Sequence, residues 1–231
     1  MTTQTIAGDA GRAMPGGMTA GFGPWIYDRW VTRPAQNRSE RTFFKILDAA
    51  EALLAARSWH EVSVQEIVRG AGASVGSFYN RFADKEAVLH CLDKRLGQEC
   101  RQTIDSLIEE FERAPVLVEV APGIVISLFI RLCHDRRGVI RALDLAAKMA
   151  GDDRFSGLVP GFDAAVLSLS RFLAKHHEDF RGQAADHIAR AFRESFWLAR
   201  ETILYGRETL PEKQLHASLM RHFGASMSLA E

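Results

Sequence analysis

The sequence has little to staple it and no net charge to steer it. Its three cysteines, Cys91, Cys100 and Cys133, are odd in number and lie within helical patterns. They read as buried thiols in a reducing cytoplasm rather than as a redox switch. Lysine and arginine total 29 against 29 acidic residues, so no global field announces a polyanionic partner. No segment has the strict apolar-polar alternation of a strand, and no repeat of fixed period is visible. No basic N-terminal region leads into an apolar run, so a secretory signal is not expected. The longest apolar stretch, Val116 to Cys133, is interrupted by Glu119, Pro122 and Gly123 and is short for a bilayer. It reads as a core helix kinked or broken at Pro122, and no membrane partner is expected. His176, His177 and His187 are near one another, but adjacent histidines point different ways on a helix. They read as a solvated, charged loop, with no metal and no cofactor expected.

What is present is a chain of 231 residues, 47% hydrophobic and 25% charged, enough for a proper core. The informative stretch runs from Ser63 to Glu86, SVQEIVRGAGASVGSFYNRFADKE. Ser63 and Glu66 have the spacing of a capping box, and Val62 and Ile67 that of a hydrophobic staple, so a helix starts here. Val64, Ile67, Val68 and Ala71 give it one apolar face. Gly72 is placed to end it in a left-handed turn. Ser74 can then cap a second short helix, with Phe78 and Phe82 directed inward and Val75, Gly76, Tyr79 and Asn80 on the opposite face. Asp84 is placed to cap a third helix with Lys85 in its first turn. Two short helices joined by a tight glycine turn read as a helix-turn-helix whose second member enters a DNA major groove. Residues 39–90 carry six basic against seven acidic residues, but Arg69 to Lys85 holds three basic against one acidic, a local rather than global footprint.

The run AGASVGSFYNRFADKEAVL resembles the tetracycline-repressor (TetR) family of bacterial transcription regulators. The matching positions are Ala71, Gly72, Ser74, Gly76, Phe78, Tyr79, Phe82, Lys85 and Glu86, with Ile46, Leu47, Ala49, Ala50 and Leu54 upstream. The resemblance departs at Val75, where the family usually has Lys or Arg, and at Arg81, where His or Tyr is usual. It implies DNA contacts from Lys45, Ser63, Ser74, Val75, Gly76, Ser77, Tyr79, Asn80 and Lys85, with Lys85 meeting a phosphate. It also implies a homodimer paired through the last two long helices, a palindromic double-stranded operator, and a repressor released by a small apolar or amphipathic effector. Phe129, Met149, Phe155, Phe162, Phe192, Phe196 and Trp197 are candidates to line the effector pocket.

The expected fold is all-α. Residues 1–38 form a flexible extension in which Phe22, Trp25, Tyr27 and Trp30 suggest partial docking, and Arg29, Arg33 and Arg38 an arm toward a minor groove. Residues 39–90 form the helix-turn-helix domain, braced by a helix from Ser39 to Arg57 with Phe44, Leu47, Ala50 and Leu54 on one stripe. Trp59 plugs the core beside it. Residues 91–231 form a larger ligand-binding and dimerisation domain, entered by a long helix from Asp84 to about Glu112 that Pro115 stops. Further helical segments follow near Leu117–Leu132, Gly138–Ala150, Pro160–His176, Gln183–Tyr205 and Pro211–Met227. An enzyme reading of Gly70, Gly72 and Gly76 as a phosphate loop fails on spacing and on the helix that precedes it. A helical adaptor without DNA binding is the remaining alternative.

Overall fold

The computed structural model describes residues 31–32, 37–150, 158–206 and 210–228. Among them are nine α-helices and no strand, only an isolated antiparallel bridge between Val31 and Phe82. The first domain is built by α1 (Asn37–Leu54), α2 (Val64–Ala71) and α3 (Val75–Tyr79). In α1 the buried stripe is Phe43, Ile46, Leu47, Ala50 and Leu54. Phe44, expected on that stripe, only packs against its edge, because Phe43 takes the inward register and stacks on Phe82 with ring centroids 5.2 Å apart. Phe78 closes the cluster 5.0 Å from Phe82. Trp59, in the 3-10 turn Trp59–Glu61, is buried as expected.

The core of this domain begins upstream of the boundary expected at residue 39. Val31 is 2% exposed, and the Thr32 amide donates to the Arg81 carbonyl at 2.8 Å. This short clip presses on the segment just after α3. The expected aromatic docking and the Arg29 and Arg33 arm lie outside the described residues, as does the side chain of Arg38.

The next helix, α4 (Glu86–Arg113), is 28 residues and therefore about 42 Å long, and it carries the chain away from α2 and α3. The Asp84 carboxylate accepts the Ala87 amide at 2.7 Å, so the expected cap forms. Pro115 opens a 3-10 turn, Pro115–Val120, which leads into α5 (Ala121–Asp135). Pro122 neither kinks nor breaks this helix, contrary to the sequence reading. It lies instead in its first turn, where a missing amide costs nothing. The stretch Pro115–Asp135 is long and apolar enough to cross a membrane by composition, yet Val125, Ile126, Phe129, Ile130 and Cys133 are buried in the core.

Helices α6 (Arg137–Ala150), α7 (Leu158–His176), α8 (Ala185–Tyr205) and α9 (Glu212–Ser228) complete the bundle. Where α7 crosses α4, a Cβ at Gly161 would lie 2.8 Å from the Gly97 backbone, so the crossing needs that glycine. The Asp93 carboxylate of α4 accepts the Leu158 amide at 2.8 Å in the buried start of α7, where a negative group suits a helix N-terminus. His177 departs from expectation. It is 3% exposed and stacks on Phe180 with centroids 4.0 Å apart, because its flat ring fills an apolar gap at the end of α7. No cluster of three or more metal-ligating side chains occurs among the described residues. Cys91, Cys100 and Cys133 are buried and no disulfide joins them, and burial pushes the Cys100 and Cys133 thiols up to about 12, which makes them poor nucleophiles.

Candidate nucleic-acid interface

The reading end is set by local hydrogen bonds. The Ser63 hydroxyl accepts the Glu66 amide at 3.3 Å, and the Glu66 carboxylate accepts the Ser63 amide at 2.9 Å and its hydroxyl at 2.7 Å. The same carboxylate accepts from Arg57 at 2.5 Å. Those bonds, Arg57 first and Ser63 next, hold the Glu66 carboxyl at about 2 against an ordinary 4.5. Gly72 ends α2 with φ +61° and ψ +36°, a left-handed conformation that side chains resist. After this turn the Ser74 hydroxyl accepts the Ser77 amide at 3.1 Å and donates to the Ser77 hydroxyl at 3.0 Å. The geometry is a helix-turn-helix with both helices capped.

The outward face of α3 comprises Ser74, Val75, Gly76, Tyr79 and Asn80. Val75 is 39% and Tyr79 56% exposed. A Cβ at Gly76 would meet only the Ser74 hydroxyl, 3.9 Å away. Nothing among the described residues therefore requires glycine there. Not one charged residue lies between Gly70 and Asn80.

The cations around this face divide into two groups. Lys85, expected to greet a phosphate, donates to the Trp59 carbonyl at 2.9 Å and the Val62 carbonyl at 3.1 Å. Its ammonium also lies 4.7 Å from the centre of the Trp59 ring. It ties the turn before α2 to the start of α4. Arg81 donates to the Ser77 carbonyl, and Arg57 holds Glu66 and the Glu61 carbonyl. Ser63, likewise on the expected contact list, is engaged in its cap. Lys45 is exposed, as are Arg41, four residues before it on the same side of α1, and Arg69 at the end of α2. Arg41 and Arg69 were missed as candidates. The four-residue spacing of Arg41 and Lys45 was the available signal.

The described effector candidates divide between packed core and surface. Phe129, Phe162, Phe192 and Phe196 are buried and pack ring against ring, with Phe162 to Phe196 at 4.1 Å and Phe129 to Phe196 at 5.5 Å. Aromatic rings at these distances fill their own space. Met149 is 77% exposed, and Trp197 stands on the surface of α8 with the Arg200 guanidinium 4.7 Å from its ring centre. Phe155 lies outside the described residues. A cleft of about 320 Å³ lies instead at the junction of the two domains, between α1 and the start of α6.

That junction is dense in charge. Arg95 of α4 binds Asp48 at 2.8 Å and also Glu51, both on α1. Arg136, between α5 and α6, binds the same Glu51 and Glu99 of α4, the latter at 2.9 Å. Burial raises the Glu99 carboxyl, with Arg136 and Arg95 pulling against it. At its edge a Cβ on Gly138 would fall 1.9 Å from the Leu54 carbonyl, so α6 abuts the end of α1. No local pattern reveals this network, since its partners are 37 to 85 residues apart.

Residues 46–92 match the family described as bacterial regulatory proteins, tetR family. The chain is 36% identical over 145 residues to the HTH-type transcriptional regulator EthR of Mycolicibacterium smegmatis, covering 62% of this chain and 63% of EthR. It spans only 36% and 42% of the length of the first curated relatives it matches. A putative TetR-family transcriptional regulator from Mesorhizobium loti has a similar fold, with a TM-score of 0.65 and 20% identity, over 84% of this chain and 98% of that one. The transcriptional regulator FadR of Bacillus subtilis, solved with stearoyl-CoA, gives a TM-score of 0.54 and 17% identity, over 82% of this chain and 100% of its own.

Proposed function

We propose that this chain, which belongs to the tetR family of bacterial regulatory proteins, is a transcription regulator that binds a double-stranded operator as a homodimer and releases it when a small molecule binds. The observation that carries this reading is the outward face of α3, uncharged, notched at Gly76 and supported by capped helices on both sides. One such face reads only a few base pairs. A twofold dimer places a second copy about 34 Å away, one turn of DNA, and requires a palindromic site. Exposed apolar area on α8, where Trp197 is 39% and Leu198 38% exposed, supports pairing through α8 and α9. A regulator of this kind works in the cytoplasm, where the DNA it reads is accessible.

The effector is a small apolar or amphipathic molecule acting on the helical domain, and the sign of regulation is repression. FadR with stearoyl-CoA is a fold relative that holds an amphipathic ligand. Because Phe129, Phe162, Phe192 and Phe196 pack ring against ring, a ligand that enters among them opens space there, and the junction cleft is a ready alternative. Either way it acts only through unequal affinity for two arrangements of the dimer. The Arg95 and Arg136 network and the Gly138 contact join α1 to α4, α5 and α6, so a shift of those helices carries the reading end with it.

Selection of genomic fragments by the purified chain at about 0.15 M salt tests this. The expected result is an inverted repeat bound by the parent and lost with Tyr79→Ala at unchanged melting temperature. Binding without sequence preference, or indifference to Tyr79→Ala, sinks the regulator reading in favour of a helical adaptor. Lys85→Ala is a poor control, because Lys85 holds the fold.

A further inference from the structure

We propose that α3 selects its operator by the 5-methyl group of a pyrimidine in the major groove, and that Val75 is the specificity-determining side chain that meets it. The inference rests on the DNA-binding reading above and names what that surface recognises.

Guanine is commonly read by a forked or pointed cation placed on its O6 and N7 atoms. Between Gly70 and Asn80 the chain offers none. Of the cations near α3, Arg81 is committed to the Ser77 carbonyl and Lys85 to the Trp59 and Val62 carbonyls, and the exposed Arg69 stands at the end of α2 rather than on α3. The Ser74 hydroxyl is spent on Ser77, donating to its hydroxyl and accepting its amide. That leaves Val75 as the exposed group at the leading turn of α3, with a side chain that neither donates nor accepts a hydrogen bond. Among the base edges of the major groove, the apolar feature that can cover it is a pyrimidine 5-methyl group.

The neighbouring glycine points the same way. Gly76 lies on the exposed side of a helix, is among the poorest helix formers, and has open space where its side chain would be. A notch beside Val75 lets the helix backbone approach the base edge closely enough for methyl-to-methyl contact. Thymine and 5-methylcytosine share this group, so the chemistry is the methyl rather than the base.

The test uses the duplex recovered by genomic selection, with each thymine replaced in turn by deoxyuridine, which deletes only the methyl. The parent protein is expected to lose about fourfold in affinity at one thymine in a half-site, and about fifteenfold when both half-sites are changed. Val75→Ala is expected to bind thymine and uracil duplexes alike while melting with the parent. At the sensitive position, tighter binding of a 5-methylcytosine·guanine pair than of cytosine·guanine extends recognition to both methyl sources, and equal binding confines it to thymine. A parent that tolerates uracil at every position within twofold, or a half-site that contains no thymine, overturns the methyl reading while the regulator reading stands. Failure of the parent to bind the unmodified duplex at all overturns the regulator reading first. The uracil series on the parent needs no variant to fold.

Discussion

The outward face of α3 and the junction between the two domains handle charge in opposite ways. Around α3, Arg81 and Lys85 are turned onto backbone carbonyls, Arg41, Lys45 and Arg69 stay exposed on the neighbouring helices, and the outward face of α3 itself is uncharged. At the junction, carboxylates and guanidiniums from α1, α4 and the link between α5 and α6 are satisfied against one another. The difference teaches what each region needs. A reading surface gains discrimination from shape and from groups that tolerate one partner only. A joint between domains gains from directional bonds that hold one relative placement and are costly to leave half made.

The largest effect expected from this contrast is at the junction. Arg95 has a side chain only 10% exposed and holds two carboxylates of α1. Arg95→Ala leaves Glu51 short of a partner and is expected to cost about 2–4 kcal/mol in urea unfolding, with the α3 face chemically intact. Lys85→Met comes next. It strips a donor from two carbonyls and is expected to cost about 1–3 kcal/mol. A chain in which Lys85→Met weakens DNA binding without lowering the melting temperature would show that lysine to be a phosphate ligand after all.

Gly76→Ala has a smaller effect on folding and the more telling sign. The open space around Gly76 predicts a gain of about 0.5–1 kcal/mol in stability, together with a loss of operator affinity measured on the same preparation. Stability and binding moving in the same direction would mean that the notch serves the fold. The smallest effect belongs to Glu66. Its folded carboxyl lies at about 2, below its ordinary 4.5, so the capping box and Arg57 bond stabilise the fold fully above pH 4.5. That contribution is lost as pH falls from 4.5 through about 2. Glu66→Gln should flatten this part of the stability profile, read by circular dichroism against pH.

Much of the reading end was legible from spacing. The Ser63–Glu66 box, the left-handed Gly72 and the Ser74 cap all depend on groups three to five residues apart, and each appears where expected. The same holds for the long helix after Asp84 and for the inward Phe78 and Phe82. The site list was less legible. Ser63, Val75, Gly76 and Lys85 are alike as members of a motif, yet one is spent on a cap, two face outward and one is drawn under a tryptophan. The aromatic residues of the second domain illustrate a related limit. Their composition suits a pocket wall or a packed core equally, and only their mutual distances of 4.1 to 6.1 Å identify the core.

By itself, then, the sequence determined the helices, their caps and the turn between α2 and α3, because those follow from hydrogen bonds and apolar periodicity within one or two turns of chain. The tertiary structure alone decided which cations are available, which aromatics touch, and how the two domains are joined. Lys85 finds its acceptors 23 and 26 residues away, and Arg136 finds Glu51 at a separation of 85. Partners that distant meet only after the helices have packed.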